Sequence, residues 1–241
     1  MSAPSNGVLG APLDKAKLHA GGAAAWDSQA ATLALIAETV QPGMATFETG
    51  AGQSTLAFAR AGARHQCVTP SGEEIARVRA AMDDAGLEAA SVAFHEGFSQ
   101  DVLPHLTLDP LDVVLVDGGH GFPIPAVDWL FLAPHLKVGG LLILDDVDLW
   151  TGAMIVDVLK AEPGWRHQTT LRGRTAVFEL TAPFVPREWT NQPYVRRRSF
   201  WPQLRRKATN ALGLAMRGDF KGLVDKARNE QALAAAAKHD L

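Results

Sequence analysis

Asp117 and His120 stand three apart in the stretch DVVLVDGGHGFP, residues 112–123, with only two glycines between them. A carboxylate can bind a cation or orient an imidazole, and an imidazole accepts protons near neutral pH. A second acidic stretch, GGLLILDDV, carries Asp145 and Asp146. Three carboxylates on one rim repel one another unless something neutralises them, and oxygen ligands in a partly open site suit Mg2+. Asp117, Asp145 and Asp146 are therefore candidate metal ligands, and His120 is a candidate general base. A plainer account stays open: Gly118-Gly119 makes a turn, an acid caps the next helix, and His120 is an ordinary loop residue. The other seven histidines have no acid at useful spacing, His95 beside Glu96 being the nearest exception.

The elements that would place these groups alternate along the chain. Trp26, Ala30, Leu33, Ile36 and Val40 follow helical spacing until Pro42-Gly43 stops the run. Strands are expected at MATFE, RHQCV, SVAFH, DVVLVD and GGLLILDD, with a helix after each. Ser71 and Glu74 form a capping-box spacing that opens the helix ending at Gly86. WRHQTTL and TAVFEL, joined by Arg172-Gly173-Arg174, read as a hairpin. The pattern predicts an α/β fold: a doubly wound, mostly parallel seven-stranded sheet with a C-terminal antiparallel hairpin and helices on both faces. In such a sheet Asp117, Asp145 and Asp146 share the carboxyl rim, where ligands bind.

The first strand ends on FETGAGQST. Gly50 and Gly52 let the backbone approach a ligand near a helix N-terminus, which favours negative charge. A dinucleotide fingerprint would place Gly or Ala where Thr55 stands and an acid near Thr69-Pro70, so it loses both supports. Glu48 suits a ligand that also carries a positive charge.

The pattern Glu48-x-Gly50-x-Gly52 resembles the first motif of the Rossmann-like, class I S-adenosylmethionine-dependent methyltransferases. The resemblance implies that Glu48, Gly50, Ala51, Gly52 and Asp117 line the cofactor. Thr69 stands where that family has an acid for the ribose, a task one hydroxyl can share with Glu73 or a backbone group. EGFSQDVLPHL looks like the adenine loop of the catechol-type O-methyltransferases, which implies Phe98 against the ring and Ser99 and Gln100 at its edge. Capping of the short helix by Ser99 is the structural alternative. Asp-x-x-His resembles the enzymes that methylate macrolide sugars, where the Asp binds metal and the His is the base; catechol-type enzymes have Lys at that position and Asp-Asn where this chain has Asp145-Asp146. The implied activity is O-methylation of a small molecule or sugar-containing metabolite, with S-adenosylmethionine and Mg2+. Metal-independent methylation on O or N, and a non-catalytic S-adenosylmethionine-binding module, are the alternatives; a nicotinamide oxidoreductase ranks behind both.

The 241 residues are 47% hydrophobic and 20% charged, ordinary for a soluble globular chain with a core. The expected layout is a loose arm over 1–22, the methyltransferase domain over 23–181, and a proline-containing linker with a basic helical tail over 182–241. Prolines 183, 186, 193 and 202 mark 181–202 as a linker or wrapping segment, and helices are expected from Trp201 and over about 219–238. Residues 185–241 hold 12 Lys and Arg against 5 Asp and Glu, whereas the rest holds 11 against 21. Such a tail suits a contact between copies of the chain; nucleic acid or anionic lipid is the less favoured partner. No leader or membrane span is legible and Cys67 is the only cysteine, so the cytoplasm is the expected compartment.

Overall fold

Valines and leucines in DVVLV leave no polar face, and the chain solves this by burying that strand on both sides. In the computed structural model, which describes residues 30–219, 221–222, 224–226 and 228–229, the strand lies at the centre of a seven-stranded sheet. The elements run α1 (Ala30–Thr39), β1 (Ala45–Thr49), α2 (Gln53–Arg60), β2 (Arg64–Thr69), α3 (Gly72–Asp84), β3 (Val92–Glu96) and α4 (Ser99–Val102). There follow β4 (Leu111–Val116), α5 (Ile124–Leu132), β5 (Leu136–Leu144), α6 (Trp150–Ala161), β6 (Trp165–Leu171), β7 (Thr175–Leu180) and α7 (Pro193–Met216). The arm, Trp26 and part of the last expected helix lie outside the described residues.

The strand order is β3-β2-β1-β4-β5-β7-β6, with only β7 antiparallel to its neighbours. Side chains alternate across the sheet. Val114 and Val116 therefore join Phe47, Leu132, Leu142 and Ile155 on the face covered by α5 and α6. Val113 and Leu115 join Ile36 and Phe58 on the face covered by α1 and α2. Burial of such side chains contributes roughly 1.5–3 kcal/mol each, which is why the alternation fixes the strand's register.

The sheet also levels its ends. Thr49 pairs with both Val68 and Val116, and Val116 pairs with Leu144. The residues that follow β1, β4 and β5 thus emerge on one rim, at the point where the strand order reverses. Ser71 caps α3, its Oγ accepting from Glu74 N at 3.1 Å.

Contacts divide the chain into two units, Met1–Pro186 and Arg187–Leu241. In the second, the linker expected over 181–202 is corrected: α7 already begins at Pro193 and runs through Pro202. Proline is tolerated in a first turn, where no N–H is required, so Pro193 starts the helix. Pro202 sits inside it, at the cost of one backbone bond to the preceding turn. Among the described residues no helix is long and apolar enough to cross a membrane.

Candidate functional site

Gly50 comes first, because its geometry admits no other residue. It has φ +92°, and a Cβ there would lie 2.5 Å from the Asp117 carbonyl oxygen. The first turn is thereby pressed against the end of β4, with Gly50 N donating to Val68 O at 2.9 Å. Gly52 N donates to Thr55 Oγ1 at 2.9 Å, and the Thr55 hydroxyl donates to Glu48 Oε1. The residue that spoiled a dinucleotide fingerprint thus holds this turn together.

Glu48 does not reach the open rim. Alternation along β1 sends Thr46 and Glu48 toward α2, where Glu48 is fully buried. His65 Nε2 lies 3.1 Å from its Oε1, His65 Nδ1 lies 2.8 Å from Thr46 Oγ1, and Phe58 stacks on the imidazole. Glu48 Oε2 has no protein partner. Cys67 lies beside this pair, its thiol pushed up chiefly by burial and then by the Glu48 charge.

Thr69 ends β2 with its hydroxyl donating to Glu74 Oε2 at 2.8 Å. Glu73, the acid considered for the ribose, points outward and pairs with Arg77 at 3.5 Å. The carboxylate at this strand end is therefore Glu74, with Glu96 close to Gly72 across the β2–β3 step. The signal for Glu74 was its capping-box position: its backbone N donates to Ser71 Oγ as that motif requires, and its side chain takes the Thr69 hydroxyl.

Phe98 is exposed, Ser99 is buried and Gln100 is half-buried at the start of α4. Phe98 itself occupies the cap position, and no side-chain cap bond forms there. Below this loop lies Asp128, a buried carboxyl on α5 between the ends of β1 and β4. Burial pushes its pKa up to about 6, against the hydroxyls of Ser99 and Thr49. Its signal was a lone acid within AVDWLFL.

The acid rim is split. Asp117, His120 and Asp146 come together, one ligand atom of each lying within 4.8 Å of the others. His120 Nε2 is 3.0 Å from Asp146 Oδ2, and the His120 carbonyl accepts from Thr151 Oγ1 at 2.8 Å. Asp145, expected as a third metal ligand, does not join them. Its Oδ1 accepts from Thr175 Oγ1 at 2.5 Å, and Thr32 Oγ1 lies 3.0 Å from Thr175 Oγ1. Because Thr175 spends its only proton on Asp145, Thr32 is the donor in that second bond. Burial pushes the Asp145 carboxyl up while Thr175 and the Asp146 backbone oppose it. Neither acid caps α6, whose cap position is Leu149.

Arg174, read in the sequence only as part of a hairpin turn, supplies the neutralising charge. Its Nε donates to Asp146 Oδ1 at 2.5 Å, its Nη2 reaches the same oxygen, and Asp145 Oδ1 is 4.0 Å from Nε. Burial opposes the charged guanidinium, but the two carboxylates outweigh it and hold its pKa above the ordinary value. Asp146 takes φ +52°, a left-handed conformation that Asp tolerates better than most residues. Beside His120 the rim carries two exposed aromatics, Phe122 and Trp150, with ring centroids 5.9 Å apart.

Residues 47–147 match a family model described as a methyltransferase domain. No curated protein matches the sequence. Among solved structures, an O-methyltransferase from Bacillus cereus in complex with SAH is 17% identical with a TM-score of 0.54, over 65% of this chain and 83% of that one. A Klebsiella pneumoniae protein described as an O-methyltransferase is 19% identical with a TM-score of 0.56, over 66% and 83%. An rRNA methylase from Streptococcus thermophilus is 14% identical with a TM-score of 0.51, over 66% and 100%. At these identities the likeness speaks for the fold.

Proposed function

We propose, from the methyltransferase-domain match over residues 47–147, that the protein methylates a hydroxyl of a small, ring-bearing molecule with His120 as general base. The observation that carries this reading is the 3.0 Å approach of His120 Nε2 to Asp146 Oδ2, beside Asp117 on the carboxyl rim. S-adenosylmethionine supplies a methyl on a sulfonium, whose C–S bond breaks as the acceptor oxygen takes the carbon.

The chain's own residues fit that ligand. Gly50, Ala51 and Gly52 form a turn tight enough for close backbone approach, and Asp117 stands across it. Exposed Phe98 offers a face for adenine, with Ser99 and Gln100 at the ring edge. Glu48 Oε2, buried without a partner, puts negative charge behind the turn for the ammonium. Glu74, held by the buried Thr69 hydroxyl, offers the ribose a carboxylate in place of the usual acid.

His120 takes the proton from the acceptor oxygen, and the Asp146 carboxylate stabilises the imidazolium that results. Holding that oxygen in line with the methyl is itself a large part of the rate. Phe122 and Trp150 supply a flat apolar surface next to His120, suited to a sugar or aromatic ring.

Mg2+ remains compatible with two of the three expected ligands. Asp117 and Asp146 would hold it, with His120 beside them and Asp145 engaged elsewhere. A cation there would lower the pKa of the acceptor hydroxyl. The Arg174–Asp146 pair favours a second version, in which the guanidinium alone neutralises the rim and transfer needs no metal.

The test is methyl transfer to a panel of hydroxylated sugars and phenols, with and without chelator. His120→Ala should lower kcat by about 10²–10⁴ while S-adenosylmethionine binding persists. Activity lost to chelator and restored by Mg2+ selects the metal version, and full activity in chelator selects the Arg174 version. A His120→Ala enzyme as fast as wild type contradicts both.

A further inference from the structure

Helix α7 has a charge pattern unlike the rest of the chain. Its 24 residues contain Arg196, Arg197, Arg198, Arg205, Arg206 and Lys207 and no Asp or Glu. None of its side chains is buried within its own unit. Phe200, Leu204, Ala208, Ala211 and Ala215 follow one another at spacings of four, four, three and four, and Trp201 and Leu212 border the same stripe. Phe200 is 57% exposed, Trp201 70% and Leu212 62%.

Four of the six cations flank that stripe, while Arg197 falls on it with its guanidinium over the Tyr194 ring and Arg206 lies on the opposite face. Arg198 and Arg205, seven apart, run along the Trp201 edge; Arg196 and Lys207, eleven apart, run along the Phe200 edge.

We propose that α7 is a surface for anionic lipid, lying in the headgroup plane with Phe200, Trp201, Leu204 and Leu212 toward the acyl chains. A helix of this length is about 36 Å long, too polar to span but suited to lie flat. Flanking cations on both edges meet lipid phosphates and carboxylates while the stripe is buried. Charge argues against the other occupants. Pairing two copies through this stripe would bring Arg198 and Arg205 against like charges, with no acid on the helix to answer them. A nucleic acid would meet the cations but leave the aliphatic stripe in water.

The experiment is co-sedimentation of the full chain with vesicles of phosphatidylcholine alone or with about one third phosphatidylserine. Binding should need the anionic lipid and weaken with salt. Arg198→Gln and Arg205→Gln should each weaken it about fivefold. Trp201→Ser combined with Leu204→Ser should weaken it at least as much without restoring binding to neutral vesicles. S-adenosylmethionine binding, measured in the same variants, should not change, which shows that the sheet domain is intact. No binding to anionic vesicles, equal binding to neutral ones, or charge variants that bind like wild type would overturn the proposal. So would a dimer dissolved by the Trp201 and Leu204 changes, or retention on RNA, if vesicles are ignored.

Discussion

Arg174 Nε donates to Asp146 Oδ1 at 2.5 Å, joining the β6–β7 hairpin turn to a residue 28 positions earlier, just past β5. This bond decides which oxygen of Asp146 is left to face His120. With Oδ1 held by the guanidinium, Oδ2 faces His120.

Removing that guanidinium should therefore cost both stability and activity. Arg174→Met keeps much of the stem but leaves two carboxylates uncompensated. The fold should lose about 1–3 kcal/mol in urea denaturation, because a charge pair is broken on one side only. Methyl transfer should fall, and Arg174→Lys should recover part of the stability through its charge without the two-nitrogen contact. Unchanged stability in Arg174→Met would show that the pair contributes nothing.

Asp128 gives a pH dependence whose sign is fixed. Its folded pKa, about 6, lies above the ordinary carboxyl value of 3.8, so the folded state binds more protons between those limits. Its contribution is therefore most favourable below pH 3.8 and is lost as pH rises through about 6. Asp128→Asn should flatten that part of the stability profile. It should also stabilise the chain at neutral pH by about 1–3 kcal/mol if the amide finds the same hydroxyls. Denaturation midpoints from pH 4 to 8 check this; parallel profiles for wild type and variant contradict it.

The exposed pair Phe122 and Trp150 should act on the acceptor alone. Trp150→Ala should raise KM for a ring-bearing acceptor by about 3–30-fold while leaving S-adenosylmethionine binding unchanged. Steady-state kinetics with each substrate varied in turn separates the two effects.

Much of the architecture was legible because burial imposes alternation that a sequence displays. The WRHQTTL and TAVFEL strands match their expected limits, and the rim follows once parallel strands are in register. What stayed hidden depended on contacts between distant segments. Nothing local in Arg172-Gly173-Arg174 says that one arginine folds back onto Asp146. Asp145 and Asp146 look equivalent in sequence, yet adjacent residues leave the strand end in different directions, one toward Thr175 and the other toward His120. Glu48 sits in the motif that suggested it, but strand alternation turns it inward to Thr55 and His65. The start of α7 was misread because Pro193 and Pro202 signal a linker by composition, whereas a first-turn proline starts a helix and an interior one can be carried.

The central claim, that the crevice at the β1–β4 switch point holds S-adenosylmethionine, is tested most directly by calorimetry with S-adenosylhomocysteine and with NAD. The account predicts one-to-one binding of S-adenosylhomocysteine, no heat with NAD, and affinity reduced about tenfold or more by Phe98→Ala through loss of stacking. Heat with NAD and none with S-adenosylhomocysteine would contradict it.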